Sequence, residues 1–490
     1  MSQLTNRRGF FKTAAAGAIG AAASVETVMA ASPKVSADRD LIILGAGCGG
    51  LCCAVRAAEL GLKVTLLEKM STSAGNTIYA AGFLLGVHTS FQAGKNDADS
   101  VDAFYEDMMK VSQGKGDPKL TRKVAEDADK TLEWLHKSAG INFAAGSKLV
   151  WPMLSRAHLV TGKVKPGGAQ LSLSLIERAK ALGVDLRFNT KAVAILQDEK
   201  TGAVNGVRIK TKEGLSELRS KKGVVIAAGG WARSEDLLRR FTPAAEKALK
   251  LGGLGNTGDG TKMAWALGAD LLDVSYTKAT YGFNPKTKTS AFVMYNGAVI
   301  VNKKGERFAD ESRPYKELGE LVMQEPDGIG YQVYDAAIHA EAQKDPLAKT
   351  DYLKKNGELF EADTLEALAG KIGVPADALV RTVKAYNEGL ARGADAFGRT
   401  SLSAGGGKPQ PITKSPFYAF AATACLLSTY CGPKIDTEAR VVNIFGEVIP
   451  GLWAAGEGTG GFHGAAYMSG TSVGKAVIFG KIAAESIAKA

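Results

Sequence analysis

Two stretches of this sequence carry residue types that could do chemistry. From Gly456 to Ala476 the chain reads GEGTGGFHGAAYMSGTSVGKA, bare glycine backbone interrupted by Glu457, His463, Tyr467 and Ser469 and running into an apolar helix. Main-chain N–H groups at a helix start hold negative charge, and a phenol beside them can donate to an oxygen that gains charge during a reaction. Near the other end, Gly45-Ala46-Gly47-Cys48-Gly49-Gly50 follows the apolar run Leu41–Leu44, and Glu68 ends the next apolar run. Such glycines let backbone approach a pyrophosphate at the positive end of a helix, while the acid accepts from ribose hydroxyls.

The elements that must position these groups follow from periodicity. Asp40–Leu44, a helix from Leu51 to Leu60 stopped by Gly61, and the strand Lys63–Glu68 make a complete strand–helix–strand unit. That context turns a weak glycine motif into a specific dinucleotide signature. Helical spacing continues over Val101–Met109 and Leu120–Leu135, then helix Gln170–Leu182 precedes strands at Asp185–Asn189, Ala192–Gln197, Val204–Lys210 and Gly223–Ala228. From about Phe241 the buried runs thin out and polar turns multiply, up to a linker at Ala404–Gly407. After Phe417 the first pattern resumes, with strand Gly451–Ala455 and a final helix from Val473 to Ile487. The expected fold class is α/β: a Rossmann-like dinucleotide-binding domain over 38–240 and 406–490, with an inserted α+β capping domain over 241–405.

The first thirty residues read as an address rather than as fold. Arg7-Arg8-Gly9-Phe10-Phe11-Lys12, an Ala/Gly-rich stretch and Val28-Met29-Ala30 form a twin-arginine signal peptide over 1–30, which predicts export of an already loaded protein to the periplasm. No apolar run reaches the ~20 residues of a membrane span. Loss of residues 1–30 takes the formal charge from +11 to +9 (58 Lys+Arg against 49 Asp+Glu), enough to steer anionic partners, but no basic motif interleaved with aromatics points to nucleic acid. Cys48, Cys52 and Cys53 read as small core filler, whereas Cys425 and Cys431 could pair or Cys431 could face a cofactor. There is no CxxCH haem motif, no ferredoxin-like cysteine run and no metal set, so redox chemistry here needs an external electron partner.

The first glycine motif serves NAD and FAD alike, and three further segments decide between them: Gly75-Asn76-Thr77 with Ala81-Gly82, Asn256-Thr257-Gly258-Asp259-Gly260 before an alanine-rich helix, and the strand ending at Glu457. With these in fixed order, the chain after residue 38 resembles the flavoprotein family of fumarate reductase and succinate dehydrogenase, in its soluble flavocytochrome-like branch. The resemblance implies FAD held by Gly45, Ala46, Gly47, Gly50, Glu68, Lys69, Asn76, Thr77, Gly82, Val193, Asp259, Glu457, Ser472 and Val473, with substrate between a mobile cap and the flavin. Membrane-bound members tether FAD through a histidine near Asn76; here that segment reads Ser73-Ala74-Gly75-Asn76-Thr77, so noncovalent FAD is expected.

The reacting end departs from that family. Fumarate reductases read HGANRLGGN, with the arginine clamping a substrate carboxylate, and this chain places Tyr467 there. Their histidine pair and Thr-Glu-x-x-Arg relay are likewise replaced, by Leu426–Cys431 and Ser290–Met294. A buried dicarboxylate needs charge-assisted partners to offset desolvation, so fumarate and succinate are not expected as substrates. The segment is instead similar to that of 3-ketosteroid dehydrogenases, with Tyr467-x-Ser469 and Glu311-Ser312-Arg313-Pro314-Tyr315. That likeness implies that Tyr467 and the Gly470 N–H polarise a carbonyl oxygen and that Tyr315 handles the α-proton. Arg313 is the competing proton donor, with an ion pair to Glu311 or Asp310 as its plainer role; Ser469, Tyr295 and Tyr430 are expected as pocket wall, and His463 as a flavin or loop contact.

These readings lead to a reductase of a C=C bond conjugated to a carbonyl, taking an enone, acrylate or ketosteroid-like substrate and electrons from a separate partner such as a c-type cytochrome. The same chemistry run backwards, as a ketosteroid-type dehydrogenase feeding an external acceptor, is the alternative that Tyr467 and Ser469 favour. A flavin electron carrier without its own substrate is a third, which the expected capping domain disfavours.

Overall fold

The computed structural model describes residues 39–73, 75–92, 99–144, 156–164, 167–277, 279–345, 347–403 and 406–490. The twin-arginine segment, Ala74 and the Ala404-Gly405 half of the expected linker lie outside these residues. Among the described residues no helix is long and apolar enough to cross a membrane.

One sheet has six strands in the order Arg440–Val442, Val448–Ala454, Gly223–Ile226, Leu41–Leu44, Val64–Leu67, Asp185–Arg187. The last five run parallel, with Leu41–Leu44 in register against both Gly223–Ile226 and Val64–Leu67. Continuous apolar strands such as LIIL and GVVI are what a parallel sheet covered on both faces requires. Leu41, Ile42 and Ile43 are fully buried, and each such side chain contributes about 1.5–3 kcal/mol. Helix Cys48–Glu59 and the closing helix Thr471–Lys489 pack together over this sheet. A Cβ at Gly480 would stand 2.3 Å from the Gly49 carbonyl oxygen, so glycine sets the spacing between the two helices.

The second six-stranded sheet is built around the ten-residue strand Phe417–Leu426. Leu249–Lys250, Ala279–Phe283, Ile329–Asp335 and Leu359–Ala362 all pair with it, and Val299–Val301 adds to Ile329–Asp335. Helix Tyr315–Gln324 lies against it so closely that a Cβ at Gly319 would meet the Ala279 carbonyl at 2.0 Å.

Two segments join a sheet or core other than the one their place in the chain suggests. Phe417–Leu426, expected with the resumed first pattern, is the centre of the second sheet, and the first sheet resumes at Arg440. In the other direction, helix Asp259–Ala266 falls inside 241–405 but packs on the first core, where Ala264 and Ala269 are buried and a Cβ at Gly260 would touch Ile226 at 2.7 Å. Phe417–Leu426 is apolar on both faces and Asp259–Ala266 is short and half polar, so hydrophobicity alone does not say which core either joins.

The segment leading into the helix at Tyr315 is anchored by a buried ion network. The Glu311 carboxylate accepts from Arg307 Nε at 2.9 Å and Nη2 at 2.8 Å, from Arg399 Nη1 at 3.2 Å and from the Ile300 N–H at 3.0 Å. Asp395 takes the other Arg307 nitrogen at 2.6 Å, and Arg399 also donates to the Met294 carbonyl at 2.7 Å.

Candidate active site

A cleft of about 540 Å³ opens at the carboxyl ends of the parallel strands and runs toward the second sheet. At one end Gly45, with φ +108°, makes the turn out of Leu41–Leu44; a Cβ there would stand 2.4 Å from the Ala227 carbonyl. Gly47 caps helix Cys48–Glu59 and lines the cleft. Glu68 ends the next strand as the motif requires, and its carboxylate accepts from the Ala46 N–H at 3.0 Å and the Met70 N–H at 2.9 Å. Thr77 accepts from the Cys48 N–H at 3.1 Å. Ala46 and Gly50 lie buried beneath the turn rather than on the cleft wall; a Cβ at Gly50 would strike the Gly45 carbonyl oxygen at 2.1 Å, so these two shape the turn.

Along the cleft, Lys69 donates to Asp259 at 2.6 Å and to Thr257 at 2.6 Å, and Lys191 pairs with Asp259 at 3.1 Å. Burial works against the charged form of Asp259, but these two ammonium groups outweigh it and hold its carboxyl below the usual range. Asn76 and Gly82 also line this stretch. Val193 does not: it is 38% exposed and faces a neighbouring depression, while Thr190, Lys191 and Ala192 supply the wall. Val193 sits in a strand, and a one-residue step turns its side chain to the opposite face.

Glu457 marks the middle of the cleft, accepting from Asn76 Nδ2 at 2.5 Å, Asn256 Nδ2 at 3.0 Å and the Thr429 N–H at 3.4 Å. Gly470, with φ +92°, precedes the closing helix, and Gly470, Ser472 and Val473 line the cleft at that helix's positive end. A close-approach glycine turn, an acid at the strand tip and a second helix N-terminus spaced along one cleft fit an adenine dinucleotide carrying an electron-accepting ring.

Beyond Gly470 the wall is aromatic. The Tyr315 hydroxyl lies 3.2 Å from Ser469 Oγ. The Tyr467 ring packs 4.9 Å from that of Tyr430 and edge-on to His463 at 5.7 Å. Phe292 tilts against Tyr315 at 5.7 Å, and the Tyr295 hydroxyl donates to the Arg313 carbonyl at 3.0 Å. Burial, reinforced by Tyr315 and Tyr430, pushes the Tyr467 phenol well above its ordinary range, so it stays a neutral O–H donor. Burial moves Tyr430 and Tyr295 the same way.

Arg313 is not part of this constellation. Its side chain is 50% exposed and pairs loosely with Glu317 at 3.9 Å, neither Glu311 nor Asp310 being its partner. Pro314 turns the chain between it and Tyr315, so Tyr315 enters the cleft while the guanidinium points to solvent. Cys425 and Cys431 are buried free thiols; burial pushes Cys425 up to about 12, and Cys431 higher.

Two lysines that no sequence motif singles out are buried here. Lys316 donates to the Tyr467 carbonyl at 2.9 Å and stands 3.0 Å from the centre of its ring. Lys475, on the closing helix, donates to the Thr459 carbonyl at 2.9 Å under the Gly456–Gly461 loop. Burial lowers Lys475 from its ordinary 10.5 to about 8, with Asp273 and Glu457 opposing the shift. A lowered folded-state value means the unfolded chain binds more protons between pH 8 and 10.5, so stability withheld below pH 8 returns as pH rises through that window. Relative to Lys475→Met, the wild-type protein is expected to gain up to about 3 kcal/mol across it. Parallel pH profiles of thermal stability in the two proteins would rule this out.

Comparison with known proteins places this geometry. A family model described as an FAD binding domain matches residues 40–473. A probable fumarate reductase, Ifc3, of Shewanella frigidimarina is 30% identical over 95% of this chain and 77% of its own length. A urocanate reductase of Eggerthella lenta is 30% identical over 94% of this chain and 77% of its own. Among solved structures, a 3-ketosteroid-Δ4-(5α)-dehydrogenase of Rhodococcus jostii in complex with 4-androstene-3,17-dione superposes with a TM-score of 0.76 at 26% identity, covering 93% of this chain and 98% of that one.

Proposed function

The chain belongs to the FAD binding domain family, as a fumarate-reductase-like FAD oxidoreductase of CH–CH bonds, and on that premise we propose that it is a periplasmic reductase of a C=C bond conjugated to a carbonyl, not of a dicarboxylate. One observation carries the substrate class: the described residues lining the reacting end offer phenols, the hydroxyls of Thr280, Ser290, Ser428 and Ser469, and phenyl rings. The lining cations, Lys69 and Lys191, stand at the Asp259 end and are already paired. A dicarboxylate buried there would lack charged partners, whereas a single carbonyl oxygen needs only hydrogen-bond donors. The periplasmic destination rests on the twin-arginine segment, and electrons come from a separate carrier such as a c-type cytochrome.

FAD, when bound noncovalently between Gly45 and Val473, supplies the group that exchanges hydride with carbon. Tyr467, kept neutral by burial, donates to the substrate carbonyl oxygen and draws electron density from the β-carbon. Tyr315 holds the proton destined for the α-carbon, and Ser469 Oγ at 3.2 Å is placed to replace it. Phe292 and Tyr295 add apolar ring surface to the same end of the cleft. We propose further that the second sheet is the cap, with Tyr315 carried on its helix.

The Tyr315–Ser469 contact beside Tyr467 also favours a second reading, dehydrogenation next to a ketone. Direction is testable without the physiological partner. Anaerobically photoreduced holoenzyme mixed with 4-phenylbut-3-en-2-one should regain flavin absorbance, and oxidised holoenzyme mixed with 4-phenylbutan-2-one should stay yellow. Bleaching by the saturated ketone without the first response would favour the dehydrogenase. Acid precipitation of the same protein should leave its flavin in the supernatant; colour retained in the pellet would mean a covalent link.

A further inference from the structure

Lys316 follows Tyr315 on the same helix, and it is 7% exposed. It does not line the cleft, so it cannot clamp a substrate directly. Its ammonium is instead clasped by one residue twice: it donates to the Tyr467 carbonyl at 2.9 Å and lies 3.0 Å from the centre of the Tyr467 ring. The first contact fixes the main chain of the glycine-rich loop, and the second fixes the ring plane. Among the described residues, the titratable groups facing Tyr467 include Tyr315 from the same helix, Tyr430 from the segment after Phe417–Leu426, and His463 from its own loop.

We propose that Lys316 is a positioning residue for Tyr467: its buried positive charge holds the phenol in place and strengthens its O–H as a hydrogen-bond donor to the substrate's carbonyl oxygen. The proposal rests on the catalytic reading of Tyr467 above. A cation against a phenol stabilises negative charge developing on the phenolic oxygen, so it counteracts the burial that otherwise makes this hydroxyl a reluctant donor. The loop gains electrostatic help without a cation inside the cleft, which keeps the site selective for a neutral carbonyl. The Tyr315 helix would thereby supply two things at its first turn: a proton donor in the cleft and the charge supporting the oxyanion donor behind it. Swinging that helix away would withdraw both together.

The coupling can be read without a substrate. Holoenzyme made with 3-fluorotyrosine gives one ¹⁹F resonance per tyrosine, and Tyr467→Phe identifies the one that matters. In Lys316→Met the Tyr467 titration midpoint should rise by about one pH unit or more, and Lys316→Arg should restore most of the difference. The flavin spectrum of each variant reports that the fold and FAD site are intact. A Tyr467 midpoint that is the same or lower in Lys316→Met than in wild type would overturn the proposal, and where burial keeps both phenols protonated to the alkaline limit of the fold the kinetic comparison below decides it. The same variants are then reduced and mixed with 4-phenylbut-3-en-2-one. Lys316→Met should slow reoxidation at saturation about tenfold or more, and should cost little once Tyr467 is phenylalanine. Equal losses in both backgrounds would overturn it, because Lys316 would then act independently of the phenol. A Tyr467→Phe protein that reacts at the wild-type rate would overturn the catalytic reading itself, and the titration would still report whether the two residues are coupled.

Discussion

Tyr467→Phe is expected to lower the maximal rate of enone reduction by about 10²–10³-fold while leaving FAD bound. The substitution removes one oxygen and keeps the ring, so packing against Tyr430 and the Lys316 contact survive. What is lost is the donor that meets charge only as the carbonyl oxygen becomes enolate-like, and such interactions act on kcat more than on KM. Ser469, two residues on, is held against Tyr315 and does not substitute for the phenol. A rise in KM at unchanged kcat would show that Tyr467 merely binds substrate.

The second large effect concerns stability. Glu311 is fully buried between Arg307 and Arg399, themselves buried, and accepts from both guanidinium groups and the Ile300 N–H. Glu311→Ala strands two cations away from water, with Asp395 left to face Arg307 alone. Removing one member of a buried ion network costs about 3–5 kcal/mol, enough to take much of a typical margin. Glu311→Gln keeps the shape and some hydrogen bonds and should lose less. Because Glu311 stands four residues before Tyr315, both variants should also slow turnover through a loosened Tyr315 helix. An Ala variant that melts with the wild type would show that the network is energetically neutral.

Much of the dinucleotide half was readable in advance. The strand–turn–helix at Leu41–Glu59, the acid at Glu68 and the second acid at Glu457 all depend on short-range patterns: apolar runs, glycine turns and a strand tip. Tyr315 and Tyr467 were singled out by motif position, and both line the cleft. What escaped depends on pairings distant in sequence or on single-residue register. Phe417–Leu426 joins strands up to about 180 residues away, and nothing local says so. Arg313 and Tyr315 differ by two positions around a proline, too little for spacing to choose which one faces inward. Nothing local marks Lys316 and Lys475 as buried, since most lysines are solvated, and only tertiary packing shows it. Asn256, which ties Ala232 to Glu457, lay in a motif whose aspartate drew the attention.

The central claim is that this cleft reads one neutral carbonyl and not two carboxylates. Its most direct test is to reduce the holoenzyme anaerobically and follow flavin reoxidation by 4-phenylbut-3-en-2-one and by fumarate at equal concentration. The account predicts that the enone reacts at least about 10²-fold faster, since fumarate would have to bury charge against phenols and phenyl rings. Rapid reoxidation by fumarate would contradict it, and would mean that a cation away from the described lining reaches the substrate.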